Sequence, residues 1–443
     1  MRMGDTVDRT DVTLAAYKLG YCELGSVFTC FSHLLLRHAR HLGSKRLAFV
    51  SRDGDLLMRC TTRLAEQIGH TDWPAMSYVH VSRQTSFLPA LEVIDKSVLD
   101  AALALRGQRS TLAEALTYLG MPLAPIASTL ARLSIQPERA DLAPGAISLL
   151  VSDEQFRFAV RQEHGRQKAL LGAYLAQERI GAGVDTLLVD VGWRGSILSN
   201  MKNAFSGTPG FEPPAGAYFG LWSEGKPLSE FPRGTVGLIA DVRRRRNVLE
   251  ASAWFAAFLL ESVCRANEGT TVGYEIRGSR ILPILAGDSE GRRTEEQVAP
   301  LVAEIRHGIM CYLEEHGTTN DWLDAPSDLL RRRAQRSLLR LACFPRASEI
   351  AVGTRLVHTE GHTPNWSLPL IDSAGTGPLS HPRRWLAGLA SPWRAGYIRH
   401  TGGPLLAAGF LLLESALLVA SPHVRSLVSR TARRMAGIGI RSS

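Results

Sequence analysis

The sequence predicts an α/β protein: a parallel sheet with helices on both faces and a helical cap inserted over the sheet's carboxyl edge. Three observations predict it. Short apolar runs at LAFVS (47–51), SYVHVS (77–82) and TLLVDV (186–191) are each followed by a turn and a helical pattern, as in βαβ units. The chain between the second and third of these runs, from Phe87 to about Arg179, reads as nearly all helix and is too long for a simple crossover. Each run also ends in a hydroxyl, carboxylate or guanidinium, the pattern of a ligand-binding edge in an open α/β sheet.

In chain order, residues 12–42 carry apolar side chains at three- and four-residue spacing, which predicts one long helix or two, stopped by Gly43. His33, His38 and His41 lie in it but lack the i, i+4 pairing of helical metal sites, so they read as a helix face with basic ends. A strand at KRLAFVS follows, then the amphipathic helix DLLMRCTTRLAEQIG (55–69) and the strand SYVHVS. After the helical stretch come the strand–loop–helix VDTLLVDVGWRGSILSNMKNAF (184–205) and the strands AGAYFGLW and GTVGLIADV. LEASAWFAAFLLESVCRA (249–266) predicts an apolar helix, and TTVGYEI a further strand. The expected organisation is an N-terminal helical segment (1–45), an α/β core (46–86 and 180–290), a cap insertion (87–179), a C-terminal helical region (291–390) and an apolar, basic tail (391–443).

The composition, 45% hydrophobic and 21% charged, is that of a globular chain rather than a disordered one. The first residues carry acids and no apolar core of the length a secretory signal needs. Six cysteines without CxxC spacing argue against a zinc or redox motif and suit a reduced, cytoplasmic protein. The net charge of +9 is concentrated at Arg243–Arg246 and in the tail after Pro422. Neither block interleaves aromatic residues, which argues against a nucleic-acid partner, and a solvated arginine face is the plain reading of 243–246. The run PLLAAGFLLLESALLVA (404–420) holds Glu414 near its middle. It predicts a buried C-terminal helix, with peripheral membrane contact through 404–435 as the alternative.

Three loops carry the candidate chemistry. At Ser51-Arg52-Asp53-Gly54-Asp55 two carboxylates stand two residues apart. So placed, they can share a magnesium ion or act as nucleophile and general acid in phosphoryl transfer. The plainer alternative is a turn at Asp53-Gly54, with Asp55 favouring the dipole of the next helix. Ser82 and Arg83 end the second strand. In the third loop, Asp190-Val-Gly192-Trp193-Arg194-Gly195-Ser196, the glycines allow a tight turn and Ser196 opens a helix. The free N–H groups there form an anion site to which Arg194 adds a charge. No P-loop is present. If the strands are neighbours, these groups converge on one crevice suited to a phosphorylated ligand.

The blocks FVSRDGDLL, YVHVSRQ, LLVDVGWRGSI, LLESVCRANEGTTVGY and CFPRASEIAVG together resemble bacterial polysaccharide-biosynthesis proteins identified as HAD-superfamily (haloacid dehalogenase-like) hydrolases. The resemblance spans roughly residues 15–360 and covers their second module alone, since no DxFDTL-type loop precedes residue 47. It implies a HAD-like Rossmannoid sheet with a cap. It also implies activity on a phosphorylated sugar or nucleotide-sugar in cell-surface polysaccharide assembly. In one register Asp53 is the nucleophile and Asp55 the acid, although relatives commonly carry an aromatic where Asp55 sits; in the other, Ser51 takes the nucleophile position. Ser82 fits the second motif, and Asp190 would complete a magnesium site with Asp53 and Asp55. No lysine matches the family's catalytic one, and Arg83 or Lys202 would have to substitute. Ser51, Arg52, Gly54, Ser82, Arg83, Gly192, Trp193, Arg194, Gly195 and Ser196 would bind phosphate. The alternative implied function is a non-catalytic module that binds a glycan precursor and organises glycosyltransferases at the inner face of the cytoplasmic membrane.

Overall fold

The computed structural model describes residues 9–402 except 92, 105–109, 140, 182–184, 223–230, 242, 245–247, 360–366 and 372–390, together with 406 and 409. Helix α1 (Arg9–Lys18) runs through a π-helical turn (Leu19–Leu24) into α2 (Gly25–Leu42), and Gly43 stops it in the left-handed region. The run Asp11–Leu42 is long and apolar enough to cross a membrane, but it is packed inside the protein. Its close fit is visible at Gly20, where a Cβ would stand 1.9 Å from the Ile305 carbonyl oxygen.

Strands β1 (Arg46–Val50), β2 (Ala75–Val79), β3 (Thr186–Trp193), β4 (Ala215–Leu221) and β5 (Val236–Asp241) form one sheet in the order β2-β1-β3-β4-β5, and every pairing is parallel. Both faces are buried, as parallel sheets require. Leu47, Phe49, Val189 and Phe219 pack on one side, under α2, α3 (Gly54–Ile68) and the later helices. Ala48, Val50, Leu188 and Tyr218 pack on the other, under α9 (Glu154–Gln177) and α10 (Ser196–Ala204). This is a Rossmann-like arrangement. The chain leaves β1 toward one edge and returns at β3 toward the other, so the carboxyl ends of β1 and β3 flank the crevice at the switch point.

Between β2 and β3 the chain is helical: α4 (Arg83–Ala90), α5 (Lys96–Ala104), α6 (Leu112–Tyr118), α7 (Ala127–Arg132), α8 (Ala146–Ser152) and α9. Most of these helices share a core of their own, built around Leu88, Leu99, Leu116, Leu150 and Phe156. Two elements differ from the sequence expectation. The apolar helix at 249–266 is two, α11 (Val248–Phe255) and α12 (Ala257–Cys264). The strand at TTVGYEI, β6 (Thr271–Arg277), does not extend the sheet. It turns at Gly278 and pairs antiparallel with β7 (Arg280–Leu285).

The long helices α13 (Glu290–His316) and α15 (Ser327–Cys343), with the short α14 (Asn320–Leu323) and α16 (Ala347–Gly353), cover the α2 side. A small pair, β8 (Val357–Thr359) with β9 (Ser367–Pro369), and α17 (Arg394–Gly402) follow. His33 is buried, bonded to the Gly317 carbonyl at 2.8 Å and stacked on Trp322, while His38 meets the Gly234 carbonyl. Arg243, half-buried, pairs with buried Asp241 at 2.5 Å, while Arg244 is exposed and donates to the Gly237 carbonyl, closing the end of β5. All of the run 404–420 but residues 406 and 409, and the whole basic stretch after Pro422, lie outside the described residues.

Candidate functional site

The loop after β1 departs sharply from the strand. Arg52 takes φ = 70°, the left-handed region that side chains avoid, and four contacts hold it there. Its N–H donates to the Tyr78 hydroxyl at 2.6 Å, and its carbonyl accepts from Ala266 N–H at 3.0 Å. Its guanidinium donates to Thr270 at 2.6 Å and to Glu295 at 2.7 Å. Tyr78 in turn donates to Glu268 at 2.6 Å. Glu295 also binds Arg265 at 2.9 Å and accepts from Thr359, so one carboxylate joins two arginines in a mostly buried cluster. Those two guanidiniums hold the Glu295 carboxyl below the usual carboxylate range, against the effect of its burial.

The serines join this framework. Ser82 caps α4 in a reciprocal box with Thr85 and donates to the Thr271 carbonyl at 2.7 Å. Ser51 is buried and lies 3.4 Å from the Thr271 hydroxyl. The segment 265–271, which joins α12 to β6, therefore straps the ends of β1 and β2 together.

Asp53 and Asp55 have different surroundings despite their spacing. Asp55 is bonded to Arg59 at 3.0 Å and to Arg306 at 3.4 Å on the first turn of α3. Asp53 and Asp190, at the carboxyl ends of β1 and β3, are half-buried and keep accessible surface. Burial pushes the Asp53 carboxyl up, and Arg52, Arg265 and Arg83 draw it back. Burial and the neighbouring Asp53 charge push Asp190 up to about 7, against N–H bonds from Val191 and Gly192 and the charge of Arg83. Arg83 is exposed and acts on both carboxylates.

In the third loop Gly192 has φ = 99°, and a Cβ there would stand 2.6 Å from the Tyr218 ring. Trp193 takes φ = 68°; its ring lies edge-on to Trp254, which stacks on Trp222. The Trp193 indole N–H is buried with no hydrogen-bond partner among the described residues. Arg194 is exposed. Gly195, φ = 59°, is the N-cap of α10 and contributes no side-chain cap, so the first N–H groups of that helix have no intrahelical acceptor.

Among the described residues, no three His, Cys, Asp or Glu side chains gather to hold a metal ion. Of the expected set of Asp53, Asp55 and Asp190, Asp55 is paired with Arg59 and Arg306. Asp53 with Asp190 still fits magnesium, which commonly takes one or two carboxylates and completes its shell with water and substrate phosphate. Lys202 lies in the last turn of α10, away from that helix's N-terminal loop.

Sequence reasoning did not find Tyr78, Arg265, Glu268, Thr270, Thr271, Tyr218 or Glu295 as parts of this region. Four of them lie in the block CRANEGTTVGY, whose polar run between a helix and a strand was the available signal. Glu295, on α13, had none. No protein-family model matches this chain, and no curated protein is significantly similar to it.

Proposed function

We propose that the crevice binds a phosphorylated sugar or nucleotide-sugar and that the protein is a HAD-like phosphohydrolase or phosphotransferase of cell-surface polysaccharide assembly, working at the cytoplasmic side. The observation that carries this reading is the convergence at one switch point of Asp53, Asp190, Arg83 and the uncapped start of α10. A carboxylate pair flanked by guanidiniums and a helix N-terminus matches the charge of a phosphoryl group and of the base or nucleophile that acts on it. The helices α4–α9 would serve as the cap.

In this reading Asp53 attacks phosphorus. Its carboxylate oxygen forms the new P–O bond, the leaving alkoxide oxygen departs with the electron pair of the old one, and water later releases phosphate from the aspartyl phosphate. Asp190, which holds a proton near neutral pH, is the group placed to give that proton to the leaving oxygen. Arg83 and the N–H groups of α10 stabilise the phosphoryl oxygens. Magnesium, if held by Asp53 and Asp190 with both carboxylates ionised, would neutralise phosphoryl charge in place of the Asp190 proton. Asp53→Asn is expected to abolish turnover of a phosphorylated sugar panel while leaving the melting temperature within a few degrees of wild type. Full activity in that variant would end the nucleophile assignment.

A second reading has one specific observation in its favour. Asp55, the acid expected from the family pattern, is taken up by Arg59 and Arg306. A non-catalytic module that binds a glycan precursor beside glycosyltransferases would need no such acid. Binding of the same panel without turnover, with or without magnesium, would select this reading.

A further inference from the structure

Tyr218 differs from the other tyrosines around the crevice. Tyr78 donates to Glu268, Tyr274 donates to the His80 carbonyl, and Tyr174 accepts from the His80 N–H. Tyr218 is 1% exposed, and its hydroxyl has no hydrogen-bond partner among the described residues. A hydroxyl buried in this way costs free energy that a phenylalanine would not.

The position of the hydroxyl suggests its use. The Tyr218 ring lies over β3 and β4, where a Cβ on Gly192 or Gly216 would come within 2.6 and 2.8 Å of it. Its oxygen is 3.4 Å from where a Cβ on Gly195 would stand, beside the Phe231 ring at 2.7 Å, which puts the hydroxyl next to the N-cap of α10. That helix is nine residues long and has no side-chain cap. Tyr218 is also the register partner of Asp190, on the same sheet face. An O–H donor, unbonded backbone N–H groups and the positive end of a helix therefore meet beside the carboxylates.

We propose that Tyr218 is a binding residue of the crevice, and that its hydroxyl and the first N–H groups of α10 together hold one phosphoryl group. The inference rests on the phosphoryl-binding reading above. It assigns the α10 end of the crevice to a non-bridging phosphoryl oxygen that accepts from a neutral phenol. The glycines at 192 and 216 then have a common purpose, because each leaves space that the Tyr218 ring occupies.

The test titrates inorganic phosphate into the full chain by calorimetry, with thermal denaturation in phosphate-free buffer. Wild type, Tyr218→Phe and Gly195→Ala are compared. Tyr218→Phe is expected to melt no lower than wild type and to bind phosphate at least about tenfold more weakly, the loss typical of a hydrogen bond to a charged group. If Tyr218→Phe binds phosphate as wild type does while Gly195→Ala does not, the helix site stands and the tyrosine assignment falls. If Tyr218→Phe melts lower or fails to fold, the hydroxyl serves the fold and the proposal is overturned. If wild type binds no phosphate at millimolar concentration, the phosphoryl-binding reading falls, and this inference with it.

Discussion

The turn at 51–55 and the segment 190–196, which begins in the last residues of β3, stand at the ends of neighbouring strands of one sheet, and each holds a large side chain at positive φ, Arg52 at 70° and Trp193 at 68°. Their hydrogen bonding differs. In the first loop the N–H, the carbonyl and both terminal guanidinium nitrogens of Arg52 have partners, its buried Nε alone lacking one among the described residues, and Asp55 is paired twice. In the second, the Trp193 indole N–H and the adjoining Tyr218 hydroxyl have none among the described residues, and Gly195 gives α10 no side-chain cap. A strained backbone held by a dense network is a scaffold, whereas one bordered by buried donors without partners leaves bonds for an acceptor to complete. The difference teaches that Asp53 is presented by the rigid loop, and that the open loop is where a ligand would supply the missing bonds.

The largest expected effect falls on the scaffold. Glu295→Ala leaves Arg52 and Arg265 mostly buried without their shared counter-charge, and it should cost about 3 kcal/mol of stability. Urea denaturation measures this, and a loss below about 1 kcal/mol would show that the network does not hold the first loop.

Asp190→Asn addresses the crevice floor through pH. The folded-state value near 7 lies above the ordinary 3.8, so the folded protein holds that proton more tightly than the unfolded chain. The resulting stabilisation is full below about 3.8 and is lost as pH rises through about 7. Asparagine should flatten that decline and leave the variant more stable at pH 8 by about 1–2 kcal/mol, the full shift being discounted for the residual solvent access of the group. Parallel stability–pH curves for the two proteins would contradict it.

The smallest effect is expected at Asp55. Asp55→Asn weakens its pairs with Arg59 and Arg306 and should cost about 1 kcal/mol, with phosphate binding unchanged. Loss of turnover with the fold intact would return Asp55 to the chemistry and blur the contrast between the two loops.

The alternation of strands and helices was legible because the core imposes it: apolar runs of strand length must be covered on both faces. The β6–β7 hairpin was half legible, since TTVGYEI reads as a strand but nothing local tells whether a strand joins a parallel sheet or pairs with the next segment. The carboxylates show the same limit. Asp53 and Asp55 are chemically identical and two residues apart, and local spacing assigns them one site. Arg306, 251 residues further along, separates them.

By itself the sequence determined that the chain folds as α/β, that residues 51–55 and 190–196 stand at strand ends, and that glycines stand where the chain must turn into α10, whereas Ser82-Arg83, expected to end a strand, open α4 three residues after β2 stops. Those properties depend on periodicity and on backbone sterics, which act within a few residues. Only the tertiary structure decided that Asp190 joins Asp53 while Asp55 does not, and that Tyr218 reaches the start of α10 without a partner. Burial and pairing depend on which distant side chains arrive at a point, and no local pattern encodes that arrival.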